Sequence, residues 1–136
     1  MKRLTCFQEA DTQEKIAISK HDVCRIVEID ALTCEVWYQA HDGGEWSEFM
    51  IAAVGSFDSI VGAAEFDPHS SLKHFAVFSS QSGARVAISK CNIRRVMPRN
   101  VTTCEVCHQA IEDSEVVEKW FTVVGTFEQV VDEVEK

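Results

Sequence analysis

The sequence predicts an α+β fold of two tandem ββββα repeats. Each repeat is an antiparallel meander sheet plus one C-terminal helix, and the two pack with pseudo-two-fold symmetry. Three observations predict it. Residues 15–66 and 85–136 align without a gap at an offset of seventy, with 18 identical positions. Strand-like alternation dominates most of each copy. Each copy then closes on a glycine, a hydroxyl N-cap and a short apolar stripe, as Gly55-Ser56-Phe57 and Gly125-Thr126-Phe127. The first repeat is expected over 1–66, a linker over 67–72 and the second repeat over 73–136, together one compact pseudo-symmetric domain.

The elements follow in order. KRLTCFQ near residue 2 and KHFAVFS from Lys73 read as opening strands, with Leu4/Phe75 and Cys6/Val77 on one face. The next strands are KIAIS and RVAIS, followed by one tight polar turn at Lys20–Val23 and Lys90–Ile93. A long extended segment runs from Cys24 to Ala40, interrupted near Ile29-Asp30, and its counterpart from Arg94 to Ala110 is broken by Pro98 and Asn100. Within TCEVWYQA and TCEVCHQA, Thr33, Glu35 and Gln39 share a wet face and Cys34, Val36 and Ala40 a dry one. The pattern predicts the same division at Thr103, Glu105, Gln109 and Cys104, Val106, Ala110.

His41-Asp42-Gly43-Gly44 and Ile111-Glu112-Asp113-Ser114 predict hairpin turns. The returning strand is apolar on both faces near its end, through Met50/Trp120 with Val54/Val124 and through Ile51/Phe121 with Ala53/Val123. In the helices Asp58 and Glu128 occupy the first turn, where the dipole favours acid. Thr126 with Gln129 predicts a capping box. Phe57, Ile60, Val61 and Ala64, matched by Phe127, Val130, Val131 and Val134, predict an inward stripe, with Phe57 and Phe127 as buried equivalents.

At 136 residues, 46% hydrophobic and 26% charged, the chain has the balance of a globular protein. A unit of about 70 residues has a marginal core, so pairing of the copies is physically expected. No apolar run approaches the roughly 20 residues of a membrane helix. MKRLTCFQEADTQEK has no apolar stretch after its basic residues, so no secretory signal is read and the expected location is the cytoplasm. The net charge of −9 divides into −8 over residues 1–70 and −1 over 71–136. An acidic surface repels phosphate backbones, which argues against nonspecific nucleic-acid binding.

Motifs that suggest chemistry meet an internal control. Cys104-Glu-Val-Cys107-His108 matches the string that attaches c-type haem. The first repeat has Cys34-Glu-Val-Trp37-Tyr38 there, and residues three apart on a strand face opposite ways. Zinc needs four convergent ligands, and of Cys6, Cys24, Cys34, Cys91, Cys104 and Cys107 only Cys34 and Cys104 are repeat equivalents. None of His21, His41, His69, His74 or His108 has a histidine at its equivalent position. The expectation is therefore no catalytic residue, no metal and no cofactor, with the cysteines reduced.

The order strand, loop, I/V-A-I-S, turn, R-I/V, T-x-E-V strand, hairpin and V-x-G-S/T-F-D/E-x-I/V-V resembles the small FlbD-like flagellar proteins. The matching positions are Ile18, Val23, Ile26, Thr33, Val36, Val54, Ser56, Phe57, Asp58 and Ile60, with their partners in the second copy. The resemblance implies a noncatalytic ββββα unit and carries no active site. Ser19 and Ser89 stand where that family favours asparagine.

The leading expectation is a noncatalytic cytoplasmic interaction or adaptor module that forms a homodimer and binds a protein partner. The alternative is a small-molecule or nucleotide binder with its pocket at the seam between repeats. Lys90, Arg94, Arg95 and Arg99 form a basic cluster that could hold phosphate or an acidic partner, and Trp37, Trp46 or Trp120 could stack on a base. The competing reading of that cluster is a solvated edge, or pairing with the acidic first half. A third possibility is an acidic inhibitor of a phage or mobile element.

Overall fold

The computed structural model describes residues 3–67 and 69–136. Lys2, expected at the opening of the first strand, and Pro68, in the 67–72 linker, lie outside them. Five strands and a helix follow one another twice. The first series is β1 (Leu4–Gln8), β2 (Lys15–Ser19), β3 (Val23–Glu28), β4 (Thr33–Asp42), β5 (Glu45–Val54) and α1 (Phe57–Ala64). The second is β6 (Phe75–Ser79), β7 (Arg85–Ser89), β8 (Ile93–Pro98), β9 (Thr103–Glu112), β10 (Glu115–Val124) and α2 (Phe127–Glu135). The fold is α+β, and every strand pairing among the described residues is antiparallel.

Each series has five strands where four were expected. The extended segment from Cys24 to Ala40 reverses at its interruption and becomes the hairpin β3–β4. Asp30 causes the reversal, its Oδ1 accepting from Leu32 N at 2.8 Å while Ile29 N donates to Thr33 O at 3.1 Å. Asn100 does the same in the second repeat, accepting from the backbone N–H of Thr102 and Thr103, each at 2.9 Å. Both are side-chain turns of the kind Asp and Asn favour.

Within the first repeat, β3, β4 and β5 form a sheet and β1–β2 a hairpin. A bridge from Glu9 to Ala53, with Ala10 N donating to Ala52 O at 2.8 Å, brings the end of β1 to β5. The strands thus run β2-β1-β5-β4-β3, with β2 and β3 as the two edges. The second repeat has the matching bridge from Ser80 to Val123 and the edges β7 and β8. The repeats join where β7 lies beside β3, in the register Arg25–Ile88, Ile26–Ala87, Val27–Val86.

That join is head to tail. A two-fold relation would also pair β2 with β8, but among the described residues β2 pairs only with β1 and β8 only with β9. Pseudo-two-fold packing is therefore replaced by a heterologous contact, in which each repeat uses a different edge.

The hairpin β6–β7 serves two cores at once. Phe78, Val86 and Ile88 pack into the second core with Val106, Val123 and Val130. Phe75 and Ala87, on the other face, pack into the first core with Ile26, Val36 and Phe57. The hairpin β1–β2 serves one core only, through Phe7 and Ile18. The difference corrects an expectation. Phe57 is 1% exposed beneath the Arg85 guanidinium, 4.6 Å from its ring centre, but Phe127 is 41% exposed, because among the described residues no second hairpin covers the outer side of α2 as β6–β7 covers that of α1. The wet face of β9 also differs from that of β4, since Thr103 and Cys107 are buried.

Local chemistry sets the helix starts. Thr126 Oγ1 accepts from Gln129 N at 3.2 Å and Gln129 Oε1 accepts from Thr126 N at 2.9 Å, the reciprocal capping box. Gly55 and Gly125 precede the caps at φ 147° and 146°, a conformation that favours glycine, and a Cβ on Gly55 would meet Ile60 Cδ1 at 2.9 Å.

Candidate interaction surfaces and the cleft between repeats

Four charged residues at or beside the join between repeats, Lys20, Arg25, Glu48 and Glu65, recur in both copies. Arg25 on β3 is buried and bonds Glu48 on β5 at 2.7 Å, with both side chains 5% exposed. Its guanidinium also lies 4.4 Å from the centre of the Trp37 ring. Glu65, just past α1, turns its buried carboxylate to β6 and accepts from His74 N at 2.8 Å and Phe75 N at 3.1 Å. Lys20 Nζ donates to the Glu65 carbonyl at 2.7 Å.

Arg85 on β7 completes the join. It donates to Glu28 through its backbone N at 3.0 Å and its Nη2 at 3.1 Å, and to Asp58 through Nη1 at 3.0 Å. The guanidinium covers the Phe57 ring at 4.6 Å. These bonds hold the Glu28 carboxyl below the usual carboxylate range. At the hairpin tips Ser114 N donates to Trp46 O at 2.8 Å, Trp46 N to Ser114 Oγ at 3.0 Å and Asp113 N to Ser47 Oγ at 3.1 Å.

A cleft of about 250 Å³ lies along this join, lined by Arg25, Val27, Glu35 and Trp37 from the first repeat and His108, Lys119, Trp120 and Phe121 from the second. His108 is 1% exposed, and its Nε2 has no hydrogen-bond partner among the described residues. Burial lowers its pKa, and the nearby Arg25 charge lowers it further. A second cleft, of about 310 Å³, lies between α1 and β6, with Phe57, Asp58, Glu65, Lys73 and Phe75 in its wall.

The structure divides the candidate binding residues. Trp37 and Trp120 share the cleft between repeats, whereas Trp46 stands 43% exposed at the hairpin tip against His41. None of Lys90, Arg94, Arg95 or Arg99 lines that cleft; its cations are Arg25 and Lys119. Among the described residues the basic cluster pairs within its own repeat and not with the acidic first half. Arg95 bonds Glu118 at 2.8 Å and Arg99 bonds Glu105 at 2.7 Å. Arg94 bonds Gln109, and Lys90 donates to the Lys136 carbonyl at 2.6 Å.

All six cysteines are free thiols; Cys6 and Cys91 are exposed and the other four buried. Burial raises the pKa of Cys24 to about 12 and of Cys34 to about 11, and also raises Cys104 and Cys107, which keeps them protonated and poor nucleophiles. Among the described residues no three of His, Cys, Asp and Glu converge as metal ligands would, and no helix is long and apolar enough to cross a membrane.

Sequence reasoning missed the roles of Arg25, Glu48 and Glu65. Their signal was present, since all three are charged and identical in both repeats. His108 carried no such signal, because its equivalent is Tyr38. Comparison with family models, curated proteins and solved structures finds no match.

Proposed function

We propose that this protein is a noncatalytic interaction module whose two open edges accept strands of a protein partner. The observation that carries this reading is the difference between Phe57 and Phe127, 1% and 41% exposed at equivalent positions. The chain buries the first by laying a β-hairpin along β3 and α1. It leaves the same arrangement on β8 and α2 open. Leu4 at 53%, Met97 at 41% and Phe127 then stand in water at the free edges. Six free thiols fit a cytoplasmic location. The FlbD-like resemblance supports a noncatalytic unit without naming its partner.

Affinity capture from the native host, with cross-links mapped by mass spectrometry, tests the reading. Partner cross-links are expected at β1–β2 or β8–α2, and a Leu4→Asp/Phe127→Asp variant should lose the partner. Capture unchanged by that variant would defeat it.

A second reading rests on the unpaired Nε2 of buried His108 beside Trp37, Trp120 and Lys119. A planar anionic ligand could stack on an indole and pair with Lys119 in the cleft. Nucleotides should then quench tryptophan fluorescence in the natural protein and not in Trp37→Ala; no quenching at millimolar nucleotide would dismiss it.

A further inference from the structure

The structure assigns a partner to the two open edges: we infer that a second copy of this chain docks its β1–β2 hairpin onto β8 and α2, repeating between molecules the head-to-tail join made within one. The inference rests on the interaction-module reading and names the occupant.

The internal join supplies the template. There the A side, β6–β7 of the second repeat, meets the B side, β3 and α1 of the first. Consequently the first repeat keeps a free A side and the second a free B side. The free sides consist of the same sequence positions as the satisfied ones. KIAIS in β2 and RVAIS in β7 differ conservatively at two positions, yet Ala87 is fully buried while Ala17 is exposed. Phe75 is 2% exposed on the satisfied A side, and its equivalent Leu4 is 53% exposed on the free one. On the B side the Arg25–Glu48 pair is 5% exposed at each partner, whereas Arg95 and Glu118 are 48% and 45% exposed.

Transposing the internal register by one repeat places Arg95 opposite Ile18 of a second copy, Val96 opposite Ala17 and Met97 opposite Ile16. Among the described residues the outward backbone groups of β2 pair with no other strand. Lys20 N bonds Arg3 O and Glu9 N bonds Glu14 O, so the even positions of the hairpin's second strand serve β1 and Ala17 points outward. Charge matches as well. Lys15 stands where Arg85 bonds Asp58, and Glu128 takes the place of Asp58. The backbone N–H groups of Arg3 and Leu4 take the places of His74 and Phe75, opposite Glu135, the equivalent of Glu65. Three departures weaken the copy relative to the original. Pro98 replaces Glu28 and so removes the second partner of the Arg85 position, Arg94 replaces the buried Cys24, and Lys136 with Arg3 replaces the stacked rings of Phe66 and His74.

A heterologous contact of this kind propagates, so the product is a closed ring or an open filament, not a two-fold dimer. Sedimentation velocity from about 1 to 100 μM, a range over which weak heterologous contacts populate, should give species heavier than one 15.3 kDa chain. Leu4→Asp spoils only the free A side and Phe127→Asp only the free B side; each protein alone should sediment as a folded monomer. Mixed in equal amounts they retain one intact pair of sides and should form a species of two chains. Lys15→Glu and Glu128→Lys give a second readout, weakening assembly singly and restoring it when combined in one chain. A natural protein that stays monomeric throughout would overturn the inference, as would assembly untouched by either aspartate or a dimer formed by each variant alone. A monomer that still captures a foreign partner through these edges would leave the interaction-module reading standing.

Discussion

Arg25 and Arg95 are the same residue placed in two environments, and the difference shows what the join between repeats does to a charge. Arg25 and Glu48 are removed from water, hydrogen-bonded and stacked on Trp37. Arg95 and Glu118 make the same bond on an open edge, with Trp120 at 4.9 Å as the stacking ring. A buried pair broken on one side leaves an unpaired charge in a low-dielectric site, whereas solvent screens the exposed pair. Arg25→Ala should therefore lower the unfolding free energy by about 3–5 kcal/mol. Arg95→Ala should leave the urea midpoint of the isolated chain nearly unchanged. Equal losses would mean that the join does not desolvate Arg25.

At the scale of elements, most of the chain was legible because alternation and caps are local. The strands at KIAIS and TCEVWYQA, the hairpin turns and the N-caps Ser56 and Thr126 all follow from neighbouring residues. The β3–β4 reversal was missed because Asp30 and Asn100 act through side-chain bonds that a pattern of apolar residues does not display. The burial of Phe57 and exposure of Phe127 could not be read at all, since similar local sequences meet different distant strands. Their energetics should separate accordingly. Phe57→Ala, in a packed core, should cost about 3–5 kcal/mol, and Phe127→Ala about 1 kcal/mol or less in the monomer. Denaturant melts of the two variants check this, and a Phe127→Ala loss as large as that of Phe57→Ala would place α2 under a cover within the chain itself.

For the whole molecule, the join also places two histidines where a proton is unwelcome. His74 stacks on Phe66 at 4.1 Å and contacts Ser89 at 2.9 Å, with Glu65, His21 and Lys90 as the titratable groups around it. His108 lies at the cleft among Arg25, Glu48 and Lys119. Burial lowers both pKa values, so the folded chain holds neutral imidazoles at a pH where the unfolded chain begins to bind protons. The unfolded state then carries more protons, and stability rises with pH through this window. It should be complete above about pH 6.5, the ordinary histidine value, and decline as the pH falls toward the lowered folded values. Glu28, held low by Arg85, contributes to a separate and more acidic loss, as its folded carboxyl begins to protonate below the ordinary carboxylate range. Urea midpoints at pH 8, 7, 6 and 5 should fall with acidification, and a His74→Gln/His108→Gln variant should flatten the slope between pH 7 and 5. An unchanged slope in that variant would assign the acid sensitivity to the carboxylates, and the join between repeats would then carry no histidine-linked pH dependence.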